Sequence, residues 1–194
     1  MEKLIGKVKL KTAIFISGRG SNLKSLYKFS KKKISPININ LVISDNKNAK
    51  GLIFAKKQKI KISTINYSNK NKAERKIKML IKKNNIKFIC LAGFMKILSK
   101  KFIRSFKGKI LNIHPSLLPK YKGLSTHKRV IDNKEKYSGC TVHFVTSKLD
   151  SGKIILQKRV KVIKSDNERK LSSKILRIEH KLYPAAVMKL FSNC

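Results

Sequence analysis

The chain has 194 residues, 41% of them hydrophobic, and its 48 Lys and Arg against 9 Asp and Glu leave a formal charge of +39. That length suits one domain with a substantial core. No apolar run approaches the roughly 18 residues a membrane span needs, residues 1–7 lack the apolar stretch of a signal peptide, and Cys90, Cys140 and Cys194 fit neither a metal motif nor a disulfide frame. A reduced, cytoplasmic protein is expected. The charge invites a nucleic-acid reading, but the lysines are spread evenly, Lys, Asn and Ile with A/T-rich codons abound, and no RNA-binding aromatic motif or helix-turn-helix is present. Base composition explains the charge better than specific nucleic-acid binding, and the surface should still attract small anions.

After a basic leader over residues 1–10, apolar strands and amphipathic helices alternate. Strands are expected over 13–16, 37–43, 60–65 and 88–92, with helices over 23–32, 49–58 and 72–84 between them. Such alternation predicts an α/β fold, a mostly parallel twisted sheet of about seven strands with helices on both faces. Beyond residue 93 the pattern changes. A turn over 93–98 enters a short helix, a strand ends at residue 114, and a helix covers 126–133. Strands over 139–145 and 154–162 form an antiparallel C-terminal element, joined by residues 146–152. The last helix opens at Ser165-Asp166-Asn167-Glu168 and runs its apolar face through Leu171, Ile175, Ile178 and Leu182. With no repeat or linker, residues 1–194 read as a single domain.

The strand ending Leu111-Asn112-Ile113-His114-Pro115 carries the chemistry. Alternation puts Asn112 and His114 on one face, at a carboxyl strand end, where ligands of open α/β sheets collect. An amide donor beside an imidazole suits oxyanion stabilisation and proton movement. The turn Ser17-Gly18-Arg19-Gly20-Ser21-Asn22 precedes a helix and lacks both the third dinucleotide glycine and the Lys of a P-loop, so a monophosphate fits it better than ATP or NAD. Asp150 lies in an ordinary Leu-Asp-Ser-Gly turn. Glu179, by pattern alone, is a solvated helix residue. His143 shares a face with Thr141 and reads as pocket-lining or a satisfied core histidine, while His127 and His180 read as surface or packing residues. No His/Cys cluster has metal-site spacing.

Together SGRGSNL (17–23), LAGFMKIL (91–98), LNIHPSLLPKY (111–121), residues 139–145, LDSG (149–152) and EHKLYP (179–184) resemble the phosphoribosylglycinamide formyltransferase family, in the family's order and from about Lys11 onward. The resemblance implies a formyltransferase-like fold and transfer of a formyl group from 10-formyltetrahydrofolate, as cosubstrate and without a metal, to the amine of glycinamide ribonucleotide. It implies Asn112, His114 and Asp150 as the catalytic residues: Asn112 on the formyl oxygen, His114 supplying charge and a proton, Asp150 holding the imidazole. Gly20, Ser21 and Asn22 would grip the phosphate and Glu179 the amine. Folate would lie against Asn112, the backbone of Met95, Lys96, Ile97 and Leu98, and the turn Thr146, Ser147, Lys148, Leu149 and Asp150, with Lys70 standing for a folate-contacting arginine. Lys122 and Ser125 depart from the family, where Pro and His are frequent. A methionyl-tRNA formyltransferase-like enzyme is the nearest rival, opposed by Gly123-Leu124-Ser125-Thr126-His127 and by the absence of a second domain of about a hundred residues; formyltetrahydrofolate deformylase would carry an extra regulatory domain. A non-catalytic anion- or nucleic-acid-binding domain is the rival from another class. A monomer or homodimer is expected.

Overall fold

The computed structural model describes residues 8–192, so most of the expected leader, together with Cys194, lies outside the described residues. The chain folds as two compact units, one running through Ile110 and the other starting at Leu111.

The first unit contains β1 (Leu10–Ile16), α1 (Ser21–Ser30), β2 (Ile37–Ser44), α2 (Lys50–Lys57), β3 (Lys61–Thr64), α3 (Lys70–Lys83), β4 (Phe88–Leu91) and α4 (Lys100–Ser105). Its strands run parallel in the order β3-β2-β1-β4. Strands β1 and β4 are buried continuous runs, with Ala13 to Ile16 and Phe88 to Cys90 fully inside, as strands covered on both faces must be. Edge strand β3 keeps every residue at least partly exposed. The chain steps outward from β1 to β3, then returns past β1 to β4. With right-handed crossovers, α1 and α2 therefore cover one face and α3 the other, and the order reverses between β1 and β4. The 93–98 segment is the expected turn into a short helix. Ser99, whose hydroxyl accepts the N–H of Phe102 at 3.0 Å, caps α4 one residue later.

The second unit is built on β5 (Lys109–His114), α5 (Thr126–Asp132), β6 (Tyr137–Phe144), β7 (Ile154–Lys161) and α6 (Glu168–Ser192). Strands β5, β6 and β7 pair antiparallel. Among the described residues seven strands form, more often parallel than antiparallel in their pairing and antiparallel toward the C-terminus, which matches the predicted class. Helix α6 starts where the Asn167 carboxamide accepts the N–H of Lys170 at 2.9 Å. Asp166 pairs with Lys174 at 2.7 Å, and Glu168 lies in the first turn, at the positive end of the helix dipole. The apolar stripe of α6 buries Leu171 and Ile175 with Val130 and Cys140, while Ile178 and Leu182 are only partly covered. Among the described residues no helix is long and apolar enough to cross a membrane.

Candidate active site

In the second unit the antiparallel register sets Asn112 opposite His143 and His114 opposite Thr141. Four polar side chains thus share one face at the end of a strand pair. The Nδ1–H of His143 donates to the Phe144 carbonyl at 2.9 Å. This tautomer leaves Nε2 as an acceptor for the Asn112 amide at 3.3 Å. Burial holds His143 below the usual histidine range; the Phe144 carbonyl and the Asp150 charge oppose that shift, and His114 adds to it. A neutral His143 fixes which way the Asn112 carboxamide points and leaves its second N–H for an incoming oxygen.

His114 is buried at 5% exposure. Its Nε2–H donates to the main-chain carbonyl of Tyr121 at 2.8 Å, and Nδ1 faces Asp150 Oδ2 at 3.4 Å. Both ring nitrogens therefore meet oxygen acceptors. Asp150 sits between two imidazoles, its Oδ1 lying 3.6 Å from His143 Nε2. Its Oδ2 also accepts the N–H of Gly123 at 2.9 Å. The turn that carries it is tight: Asp150 has φ 44°, a conformation Asp tolerates, and at Gly152 an added Cβ would stand 1.8 Å from the Phe144 carbonyl oxygen. Only glycine lets that turn close onto β6.

The loop over residues 115–125 is tied down by its own bonds. Ser116 Oγ donates to the Lys120 carbonyl at 2.7 Å. Tyr121 OH donates to Glu135 and accepts from Asn133, each at 2.9 Å. Arg129 donates to the Lys122 carbonyl at 2.8 Å and lies over the Tyr121 ring. Tyr121 itself has φ 56°, a costly conformation for a bulky residue, and its carbonyl is the one that anchors His114. Beneath, Thr141 Oγ1 donates to the Ser116 carbonyl at 2.6 Å and accepts from Gln157 at 2.8 Å.

Glu179 corrects its sequence reading. It is 6% exposed, on the buried stripe of α6 between Ile175 and Tyr183. Its charge helps burial, the larger cause, push the Cys140 thiol up to about 12. Thr146 to Leu149 form an exposed turn. Among the described residues no group of three or more His, Cys, Asp or Glu side chains is placed to hold a metal.

The first unit carries the other predicted residues, Gly20 to Asn22 and Met95 to Leu98 after β1 and β4 at its switch point and Lys70 at the start of α3. Gly20 stands before α1 with φ 71°, and a Cβ there would meet Gly51 Cα at 2.7 Å. Helix α1 starts with no side-chain cap and no acid in its first turn, so the opening N–H groups at Ser21 and Asn22 suit an anion. Asn22 is itself buried. Met95, Lys96 and Ile97 are exposed and Leu98 is buried, while the Met95 N–H is already given to Ser17 Oγ at 2.8 Å. Lys70 is an exposed first residue of α3, behind the Asn69 cap. The sequence missed His143 as a partner of Asn112, because its role depends on the β5–β6 register, and missed Asp45, which looks like an ordinary turn acid but has a side chain only 9% exposed.

The formyl transferase family model matches residues 10–187. Phosphoribosylglycinamide formyltransferase of Haemophilus influenzae is 39% identical over 186 residues, 94% of this chain and 87% of that protein. The trifunctional purine biosynthetic protein adenosine-3 of Homo sapiens is 40% identical over 190 residues, 96% of this chain; the chain spans only 19% of its length. The crystal structure of the Brucella melitensis phosphoribosylglycinamide formyltransferase superposes with TM-score 0.89 at 39% identity, covering 94% of this chain and 96% of that one. With seven strands of the expected pairing and relatives alike over nearly all of its described length, this chain belongs to the phosphoribosylglycinamide formyltransferase family.

Proposed function

We propose that the chain transfers the formyl group of 10-formyltetrahydrofolate to the primary amine of 5'-phosphoribosylglycinamide, giving the N-formyl ribonucleotide and tetrahydrofolate for purine biosynthesis. A bond forms between the amine nitrogen and the formyl carbon, and the bond from that carbon to the folate nitrogen breaks; the amine loses a proton and the folate nitrogen gains one. The observation that carries this reading is the grouping of Asn112, His114 and Asp150, with His143, on one face of the second unit.

Each group has a task that its contacts support. The free N–H of Asn112 would meet the formyl oxygen as it gains negative charge, a preorganised donor typically worth about 3–4 kcal/mol in the transition state. His114 would supply charge and a proton. Its 2.8 Å bond to Tyr121 anchors the ring, whereas the 3.4 Å contact at Nδ1 is longer than a good N–H···O bond. Nδ1 is therefore the nitrogen able to change partners, and we assign it the moving proton. Asp150, fixed by the Gly123 N–H, would hold the imidazole in place from 3.4 Å.

Gly20, Ser21 and Asn22 would hold the phosphate and Glu179 the amine. The folate would lie along Met95–Leu98 and Thr146–Asp150, near Asn112, with Lys70 toward its acidic tail. Acyl transfer by these groups needs no metal ion. In this reading the chain is a single formyltransferase domain working in the cytoplasm on two small molecules, as a monomer or homodimer. The test is a two-substrate assay: tetrahydrofolate should form only with both 10-formyltetrahydrofolate and the ribonucleotide present. Equal turnover with water or with charged initiator tRNA in place of the ribonucleotide would overturn it.

A further inference from the structure

We infer that Asp45 and Ser17 are positioning residues that set the 93–98 segment to receive the folate, an inference that rests on the function proposed above. Ser17 follows β1, Asp45 follows β2 and the segment follows β4, so the ends of three neighbouring strands meet at the reversal point of the first unit. The Ser17 N–H donates to the Gly93 carbonyl at 2.9 Å. Its hydroxyl donates to Asp45 Oδ1 at 2.5 Å and accepts the Met95 N–H at 2.8 Å. A hydroxyl has one proton to give. By taking it, the carboxylate turns the oxygen's lone pairs toward Met95.

The rest of the segment is pinned in the same way. Phe94 is buried between the ring edges of Phe15 and Tyr67, with centroids 5.4 and 5.6 Å away. At the far end Glu74, buried on α3, accepts the Ser99 N–H at 2.7 Å and the Ser99 hydroxyl. Between these fixed points Met95 and Ile97 stand 61% and 62% exposed. A free loop would fold such apolar side chains inward. This one cannot, and so presents an apolar shelf suited to a flat heteroaromatic ring. In a chain with 48 bases and 9 acids, Asp45 keeps its nearest lysine, Lys96, at 3.7 Å and gives its shortest contact to a serine. Orienting that hydroxyl, more than neutralising charge, is its work.

The test uses the full chain, with tetrahydrofolate binding by calorimetry and steady-state kinetics for both substrates, on Ser17→Ala, Asp45→Ala, their double variant and Asp45→Asn. Each alanine variant should weaken tetrahydrofolate binding and raise the KM for the formyl donor about fivefold, the worth of roughly one hydrogen bond. The KM for the ribonucleotide and kcat should stay within about twofold. The double variant should be little worse than either single one, because both act through one hydroxyl. Asp45→Asn keeps an acceptor oxygen and should restore most of the binding, and it keeps the test decisive if an alanine variant fails to fold. Unchanged folate binding in the variants, equal losses for both substrates, or additive losses would overturn the inference. If the wild type binds tetrahydrofolate but transfers no formyl group, the functional reading falls while the binding comparison still decides this one.

Discussion

Replacing Asp150 with asparagine removes a charge while keeping an oxygen where Gly123 donates its N–H. The carboxylate lies 3.4 Å from His114 Nδ1. At that distance and an effective dielectric of about 20, its attraction for an imidazolium is about 5 kcal/mol. The asparagine carbonyl keeps part of that attraction as a dipole, so the net loss in the transition state should be about 3 kcal/mol. That corresponds to a fall in kcat of about 100-fold. His143, 3.6 Å away and neutral, adds little to this sum. The assay is kcat at saturating concentrations of both substrates, with a circular-dichroism melt to show an intact fold. A variant that melts like the wild type and keeps kcat within about threefold would refute the claim that the charge of Asp150 serves the reaction.

Two further outcomes follow from the same geometry. Gly152→Ala should lift the Asp150 turn off β6, because its Cβ would land 1.8 Å from the Phe144 carbonyl oxygen; we expect a loss of about 2–4 kcal/mol in a urea titration with a matching drop in kcat, and wild-type values would refute it. His127, whose Nδ1 is buried without a hydrogen-bond partner among the described residues, is held below the usual histidine range by burial, while the unfolded chain takes up a proton near the ordinary value of about 6.5. The unfolded state then binds more protons as pH falls below that value, so stability is present above it and lost on acidification. The urea midpoint should fall from pH 7.5 to 5.5, and less steeply in His127→Gln; an equal slope in the variant would remove His127 from this effect.

What was legible in the sequence is what depends on neighbours along the chain. The apolar run before Ser17, the period of residues 72–84 and the cap cluster at 165–168 are local signals, and each element formed within a few residues of its expected bounds. Asn112 and His114 were visible as a pair because strand alternation is local as well. What stayed hidden depends on register and packing. Nothing near His143 shows that it will face Asn112, nothing near Tyr121 shows that its carbonyl will hold an imidazole, and the burial of Glu179 reflects the face α6 turns inward. Nothing near Asp45 or Glu74 along the chain shows the serine partners that the folded first unit gives them.

Consider the peptide groups of the short loop between Pro115 and Thr126. Tyr121 lends a carbonyl to His114 and Gly123 an N–H to Asp150, so the acid and the imidazole are both registered against main chain. Lysines crowd this stretch as they do the whole chain, Lys120 and Lys122 among them, yet a side-chain exchange short of proline leaves the main-chain amide and carbonyl in place. Hardware fixed to the backbone can thus outlast heavy mutational wear on the surface around it.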